Sequence, residues 1–354
     1  MLRIPANDRI EVNCKAAIVE KSADVSYKKA AESITECGLS RQSVCNAVRE
    51  AGVIPAEAAS IPKVNRQAPR IYIEANENHV AMQNGKTKQN KLILIYEDKK
   101  TVCKGRRELV AKRVFTGYRP AAEIWKTVNA YIKEAYEPET NVTIIGDGAA
   151  WIKRGQNVIP HSEFALELFH LSKYTKKTGN KSGAWIYEML RANEREQFKA
   201  RVEEERKKHP ERAAGINEGA KYIENQWEGA RRSLNDDKIS SSTEVHVSHI
   251  LSDRLSSRGM GWSEENSEII GSFRAYRENG GNLGEYIIRR FRKGEGEEAA
   301  AGVQTVIQER LGQRQESVMR RIRQSRLGIR IGHMPGSEWG KNAWMRGIIN
   351  GNMN

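Results

Sequence analysis

The stretch "IYIEANENHV", Ile71 to Val80, decides how the rest of the chain is read. Ile71, Tyr72 and Ile73 form a strand-like apolar run that leads into a polar knot of Glu74, Asn76, Glu77, Asn78 and His79. A strand of that kind delivers side chains to the end of a sheet, where α/β folds gather their working residues. Position 76 is where a carboxylate would serve that purpose best, and it carries an amide.

Further strand-like runs follow, "NKLILIYED" (90–98) and "ELVAKRVFTG" (108–117). "PAAEIWKTVNAYIKEAY", Pro120 to Tyr136, has helical spacing with Pro at its start, and "NVTIIGDG" (141–148) is another strand. Three strands, a helix and a further strand fit the first half of an RNase H-like fold, in which the strand after the helix lies parallel to the first. "SEFALELFHLS", Ser162 to Ser172, stays open: composition favours helix, the fold pattern asks for a fifth strand, and periodicity does not decide.

Upstream, "SYKKAAESITECGLSRQSVCNAVREAG", Ser26 to Gly52, reads as helix, Gly-containing turn, helix. Ser40 is a natural N-cap, and Val44, Ala47 and Val48 share one face of the second helix. The opposite face offers Arg41, Gln42, Ser43, Asn46 and Arg49, residue types that bond to base edges and phosphates. A short helical hairpin with a solvated polar face is the plain alternative. The charge balance favours DNA: 59 Lys+Arg against 45 Asp+Glu gives +14, and cations near phosphates gain from counterion release.

The three prolines of 54–69 mark a linker. From Lys173 to Asp237 the chain is charge-rich and helical in pattern, as in "NEREQFKARVEEERKKHPER", which usually means a solvated face. "VHVSHILSDRLSSRGMGW" then reads as a helix with Val245, His249, Ile250 and Leu255 on one side. Near the C-terminus, Arg320, Arg321, Arg323 and Arg326 offer phosphate contacts or a plain solvated basic helix.

The four cysteines, Cys14, Cys37, Cys45 and Cys103, form no CxxC pair, and His246 and His249 find no Cys or His partners to complete a zinc set. No apolar run reaches membrane-spanning or signal-peptide length, which sets the expectation of a cytoplasmic protein without a membrane partner.

Two acidic residues stand out by position. Asp147 ends an apolar strand and is followed by Gly148, which lets the backbone turn sharply; a simple Asp-Gly turn is the alternative. Glu244 opens a helix, where a first-turn acid also suits the helix dipole. With an Asp at position 76 the set would be Asp, Asp, Glu, a triad that holds two Mg²⁺ or Mn²⁺ ions about 3.5–4 Å apart and activates oxygen nucleophiles against phosphodiesters.

"IYIEANENHVAMQ", "GDGAAWIK", "LELFHLSKY" and "EVHVSHILSDRLSSRGMGW" together resemble the ISLre-two family of bacterial insertion-sequence transposases, itself similar to Mutator-like DDE transposases. The resemblance runs from Ser26 to about Gly281. It implies an α/β protein: an RNase H-like mixed sheet with a helical insertion, preceded by an α-helical helix-turn-helix domain. By motif, Asp147 matches the second metal-binding acid and Glu244 the third. "ELFH" matches a D/C-x-x-H element with Glu167 in place of Asp and His170 kept, and Trp262 matches the tryptophan after the catalytic helix. The family pattern reads "YIEAD" where this chain reads "YIEAN", so Asn76 occupies the first acidic position. Members usually carry a longer region before the helix-turn-helix.

The domain expectation is a helix-turn-helix region over 1–53, a linker over 54–69 and the first part of the core over 70–172. A helical insertion over 173–238, the last part of the core with its catalytic helix over 239–285 and a basic region over 286–354 complete it. The functional expectation is a bacterial, nucleoid-associated transposase that binds double-stranded DNA at terminal inverted repeats as a homo-oligomer. Metal-dependent cleavage and strand transfer would be impaired here by Asn76. The alternative is a non-catalytic DNA-binding protein, a decayed or recruited transposase occupying repeat ends.

Overall fold

Ile71, Ile73 and Ala75 alternate with Tyr72, Glu74 and Asn76 along β1 (Arg70–Ala81), and the alternation gives the central sheet two different faces. The computed structural model describes residues 10–34, 38–58, 68–103, 106–179, 183–236, 239, 243–257 and 259–292. These lie within one unit of the chain, 1–294.

β1 pairs antiparallel with β2 (Thr87–Tyr96), and β2 pairs antiparallel with β5 (Arg113–Gly117). On its other edge β1 pairs in parallel with β6 (Asn141–Gly146), which pairs in parallel with β7 (Ser162–Leu166). The sheet order is β5-β2-β1-β6-β7, with β2 alone running against the others. The architecture is a mixed sheet in a chain rich in helices.

The expected third strand, 108–117, is in fact two pieces. Arg106–Val110 is β4, paired with β3 (Asp98–Cys103) in a separate hairpin, and only Arg113–Gly117 joins the main sheet. Ala111 between them sits at φ 56°, a left-handed conformation that no continuous strand accommodates. The open segment 162–172 proves to be both things in turn. Ser162–Leu166 is β7, and α6 (Leu168–Gly179) starts two residues later.

One face of the sheet buries Ile71, Ile73, Ala75, Ile93 and Ile144 against α4 (Ala121–Ala135), whose Ile124, Trp125, Val128 and Ile132 recur at helical spacing. The helices that follow β7 feed the same core. These are α6, α7 (Ala184–Ala192), α8 (Arg195–Lys208), α9 (Ala213–Asn225) and α10 (Trp227–Asn235). Their Phe198, Ile223 and Trp227 are buried within it, so the charge-rich insertion is anchored and only partly solvated.

The other face, at its β1–β2–β5 end, buries Val80, Leu92, Leu94 and Val114. They meet α1 (Val12–Ser22), α2 (Tyr27–Glu32), α3 (Arg41–Ala51), α13 (Glu264–Glu278) and α14 (Leu283–Arg292). The N-terminal helices thus share a core with the sheet. As expected, Ser40 caps α3, its hydroxyl accepting from Ser43 N at 3.1 Å, and Val44, Ala47 and Val48 face inward. The segments 59–67 and 293–354 lie outside the described residues, including most of the expected linker and the Arg320–Arg326 run.

The helix expected over 245–255 has a different buried face. Ile250 and Leu255 are buried with Val247 and Leu251, while Val245 is 67% exposed and His249 also faces solvent. After α11 (Thr243–Val247) the backbone widens into a π turn over Ser248–Ser252, then continues as α12 (Asp253–Leu255). The π turn inserts an extra residue per turn and rotates the face, which simple helical spacing does not anticipate.

Candidate active site at the strand ends

Three neighbouring parallel strands present, at one level across the sheet, residues singled out in the sequence; β6 and β7 end there and β1 runs on. Glu74 is in register with Ile145, and Gly146 with Leu166. Continuing those registers sets Asn76, midway along β1, level with Asp147 and Glu167, which lie just beyond the carboxyl ends of β6 and β7. Close packing makes the convergence tight: Glu167 N donates to Gly146 O at 2.8 Å, and a Cβ on Gly146 would lie 3.0 Å from Ala75 O.

Asp147 Oδ1 accepts from Ala149 N at 2.8 Å, an Asx turn that orients the carboxylate. The following Gly148 stands at φ 88°, and a Cβ there would run into the Gln226 amide. Two residues of α9 and its end secure this turn from the insertion. Tyr222 donates its hydroxyl to Asp147 O, and Gln226 Nε2 donates to Gly148 O at 3.4 Å. Burial raises the Tyr222 phenol above its ordinary pKa, with Asp147, Tyr174 and Glu167 adding to the effect.

Glu167 is buried, and its Oε2 lies 2.8 Å from His170 Nδ1 one helical turn on. The i,i+3 spacing of "ELFH" thus makes a carboxylate–imidazole pair. Asn76 is half-buried, its Oδ1 accepting from Glu77 N at 2.7 Å. Glu77 points to the opposite face of β1, where Trp151 Nε1 donates to it at 2.5 Å. Trp151 is further engaged by Trp125, at 6.3 Å between ring centroids, so it is a brace more than a free stacking surface.

Glu74, on the same side of β1 as Asn76, is fully buried. It accepts from Tyr96 Oη at 2.8 Å and from Lys99 Nζ at 2.8 Å. A carboxylate so engaged does not replace the one position 76 lacks. Helix α11 packs against β1, which brings the Glu244 backbone into the neighbourhood, but its side chain lies outside the described residues. Two residues on, burial lowers the pKa of His246, while the nearby Glu74 carboxylate raises it and Lys112 and Lys99 oppose that rise.

As a two-ion site the donor set is incomplete. Among the described residues no group of three or more His, Cys, Asp or Glu is arranged to hold a metal. Among the described residues Asp147 supplies a carboxylate, Asn76 only a neutral amide and Glu167 a carboxylate paired with His170, a set that does not fit two divalent cations.

The residues read as a DNA-contacting face divide. Arg41, Gln42 and Asn46 are exposed on α3, Gln42 Nε2 bonding Asn46 Oδ1 at 2.9 Å. Ser40 and Ser43 are tied into the cap, their hydroxyls 3.0 Å apart. Arg49 turns toward α13, with Nε 3.3 Å from Asn266 Oδ1 and 3.5 Å from Glu265. Trp262 is buried, donating Nε1 to Leu255 O at 3.0 Å, and therefore has no face open to a base. Sequence reasoning did not find Tyr222, Gln226 or Lys99: each acts on a residue more than twenty positions away, and nothing local marks them. Among the described residues, no helix is long and apolar enough to cross a membrane.

A family model described as "Uncharacterised protein family (UPF0236)" matches residues 1–291. Three UPF0236 proteins of Caldanaerobacter subterraneus subsp. tengcongensis are each 35% identical to the chain over 299 residues. The alignments cover 80% of this chain and 63%, 62% and 59% of those proteins, so the chain spans less than two thirds of their length. The name of one joins four locus designations of that organism, and the name of another relative, 34% identical over 301 residues, joins eleven.

Proposed function

We propose that this chain, which belongs to the UPF0236 family, is a DNA transposase in design whose cleavage centre is disarmed at Asn76. The observation that carries the reading is the alignment of Asn76, midway along β1, with Asp147 and Glu167 just past the ends of the adjacent parallel β6 and β7, with α11 laid against β1. The sheet order β5-β2-β1-β6-β7 with only β2 reversed, and the helical insertion between β7 and α11, are what an RNase H-like core of this type requires. Relatives whose names join four and eleven loci of one genome agree with a sequence that multiplies within its host. The +14 charge suits a polyanionic partner.

In an intact site of this kind, carboxylates at positions 76, 147 and 244 hold Mg²⁺ or Mn²⁺, which supplies the Lewis acidity for phosphodiester cleavage and strand transfer. Here an amide removes one charge from that set. Asp147 keeps its orientation through Ala149 N and Tyr222, so the lesion is local to β1. The test is cleavage of supercoiled DNA with Mn²⁺ by Asn76→Asp. Cleavage gained by that change and abolished again by Asp147→Ala supports the reading; no cleavage by any variant refutes the metal-site assignment.

A second reading, a non-catalytic protein that occupies element ends, is favoured by one observation: Glu74 is bound to Lys99 and Tyr96 and Glu77 points to the opposite face, leaving no free acid on the Asn76 face of β1. It predicts repeat-end binding with no gain of cleavage in Asn76→Asp. Binding to inverted repeats as a homo-oligomer belongs to both readings.

A further inference from the structure

An open groove of about 540 Å³ is walled by α2 and α3 together with the β1–β2 turn and the loop 260–263. Four cations line it: Lys28, Arg41, Arg49 and Arg254. No Asp or Glu lines it among the described residues. Gln83 of the β1–β2 turn and Ser263, whose hydroxyl caps α13 by accepting from Asn266 N at 3.3 Å, add neutral hydrogen-bonding groups from the opposite wall.

The cations are held to different degrees. Arg254 is almost wholly buried, donating Nε to Ser22 O at 2.9 Å, with its guanidinium 4.6 Å from the Trp262 ring and 5.7 Å from that of Tyr27. This packing fixes a positive charge in the groove's wall. Arg49 is shared with Glu265 at 3.5 Å, and among the described residues Lys28 pairs with the exposed Glu32 at 3.8 Å. Arg41 is exposed and makes no ion pair among the described residues. As the first residue of α3 it also stands at the positive end of the helix dipole, where a cation costs stability.

We infer that this groove holds the sugar–phosphate backbone of one DNA strand, gripped from the α2–α3 wall by Lys28 and Arg41 and from the opposite wall by Gln83 and Ser263. The inference rests on the DNA-binding reading above and deepens it. One strand so held touches α2, α3 and the β1–β2 turn at once.

The experiment is fluorescence anisotropy of a labelled 30-base-pair duplex of random sequence with the full chain, over a salt series. Lys28→Ala with Arg41→Ala should weaken binding about tenfold and make the log–log salt dependence shallower by about two, near 0.9 for each phosphate left without its cation. Gln83→Trp, at an exposed turn position, should block the groove and weaken binding about fivefold with little change in that slope, because no cation is removed. Melting temperatures confirm that each variant is folded. Variants that bind like the wild type overturn the groove alone. A wild-type chain that binds no duplex overturns the DNA-binding reading and the groove with it.

Discussion

The hydroxyl of Tyr222 donates to the main-chain carbonyl of Asp147, although the two residues are 75 positions apart and belong to different parts of the fold. Tyr222 is itself positioned by stacking on Tyr174 of α6, at 3.7 Å between centroids and 17° between planes. The helical insertion therefore holds the turn that carries the candidate catalytic aspartate. Removing the hydroxyl with Tyr222→Phe should cost about 1 kcal/mol by urea denaturation, the net worth of one hydrogen bond.

Gly148 is the tighter constraint at the same turn. Its φ of 88° disfavours any side chain, and a Cβ would collide with Gln226. Gly148→Ala should destabilise by about 2–3 kcal/mol, combining backbone strain with overpacking. Pairing it with Gln226→Ala should recover the packing part and leave the backbone part.

The Glu74–Lys99 pair joins β1 to the β3–β4 hairpin with both side chains almost entirely buried, at 0% and 5% exposure. Deleting one partner leaves a buried charge, so Lys99→Ala should lose about 3–5 kcal/mol. Glu74→Gln combined with Lys99→Met, which removes both charges, should be markedly more stable than Lys99→Ala in the same denaturation assay.

At the start of α3, Ser40 acts as a cap. Ser40→Ala should lower stability by about 1 kcal/mol, and Ser40→Asp should preserve it, because either oxygen side chain can accept from Ser43 N. Were Ser40 chiefly a DNA contact, Ser40→Ala would weaken binding without touching the melting temperature.

Much of this fold is legible in local pattern. The alternation in 71–76, the apolar run before Asp147 and the Val44, Ala47, Val48 face each carry their element in adjacent residues. What escapes is set by distance or by a change of period. The insertion reads as a solvated charge run because its buried residues, such as Phe198 and Ile223, are sparse among Glu, Lys and Arg. Its Tyr222 gains meaning only when the fold brings it to Asp147. The split of the third strand at Ala111 and the π turn over 248–252 depend on backbone conformations that composition does not mark. At the site, Asp147 is legible as a strand-end residue and Asn76 as a residue within the first strand. That Glu74 is neutralised by Lys99 and cannot serve beside them emerges only from the fold.

On the proposed reading, one missing carboxylate separates this site from a metal-binding one. Calorimetric titration of Mn²⁺ into the wild-type chain and into Asn76→Asp, side by side, tests it most directly. Tight two-ion binding in the Asp variant alone is the expected result. Equal binding by the two chains, or none by either, would contradict it.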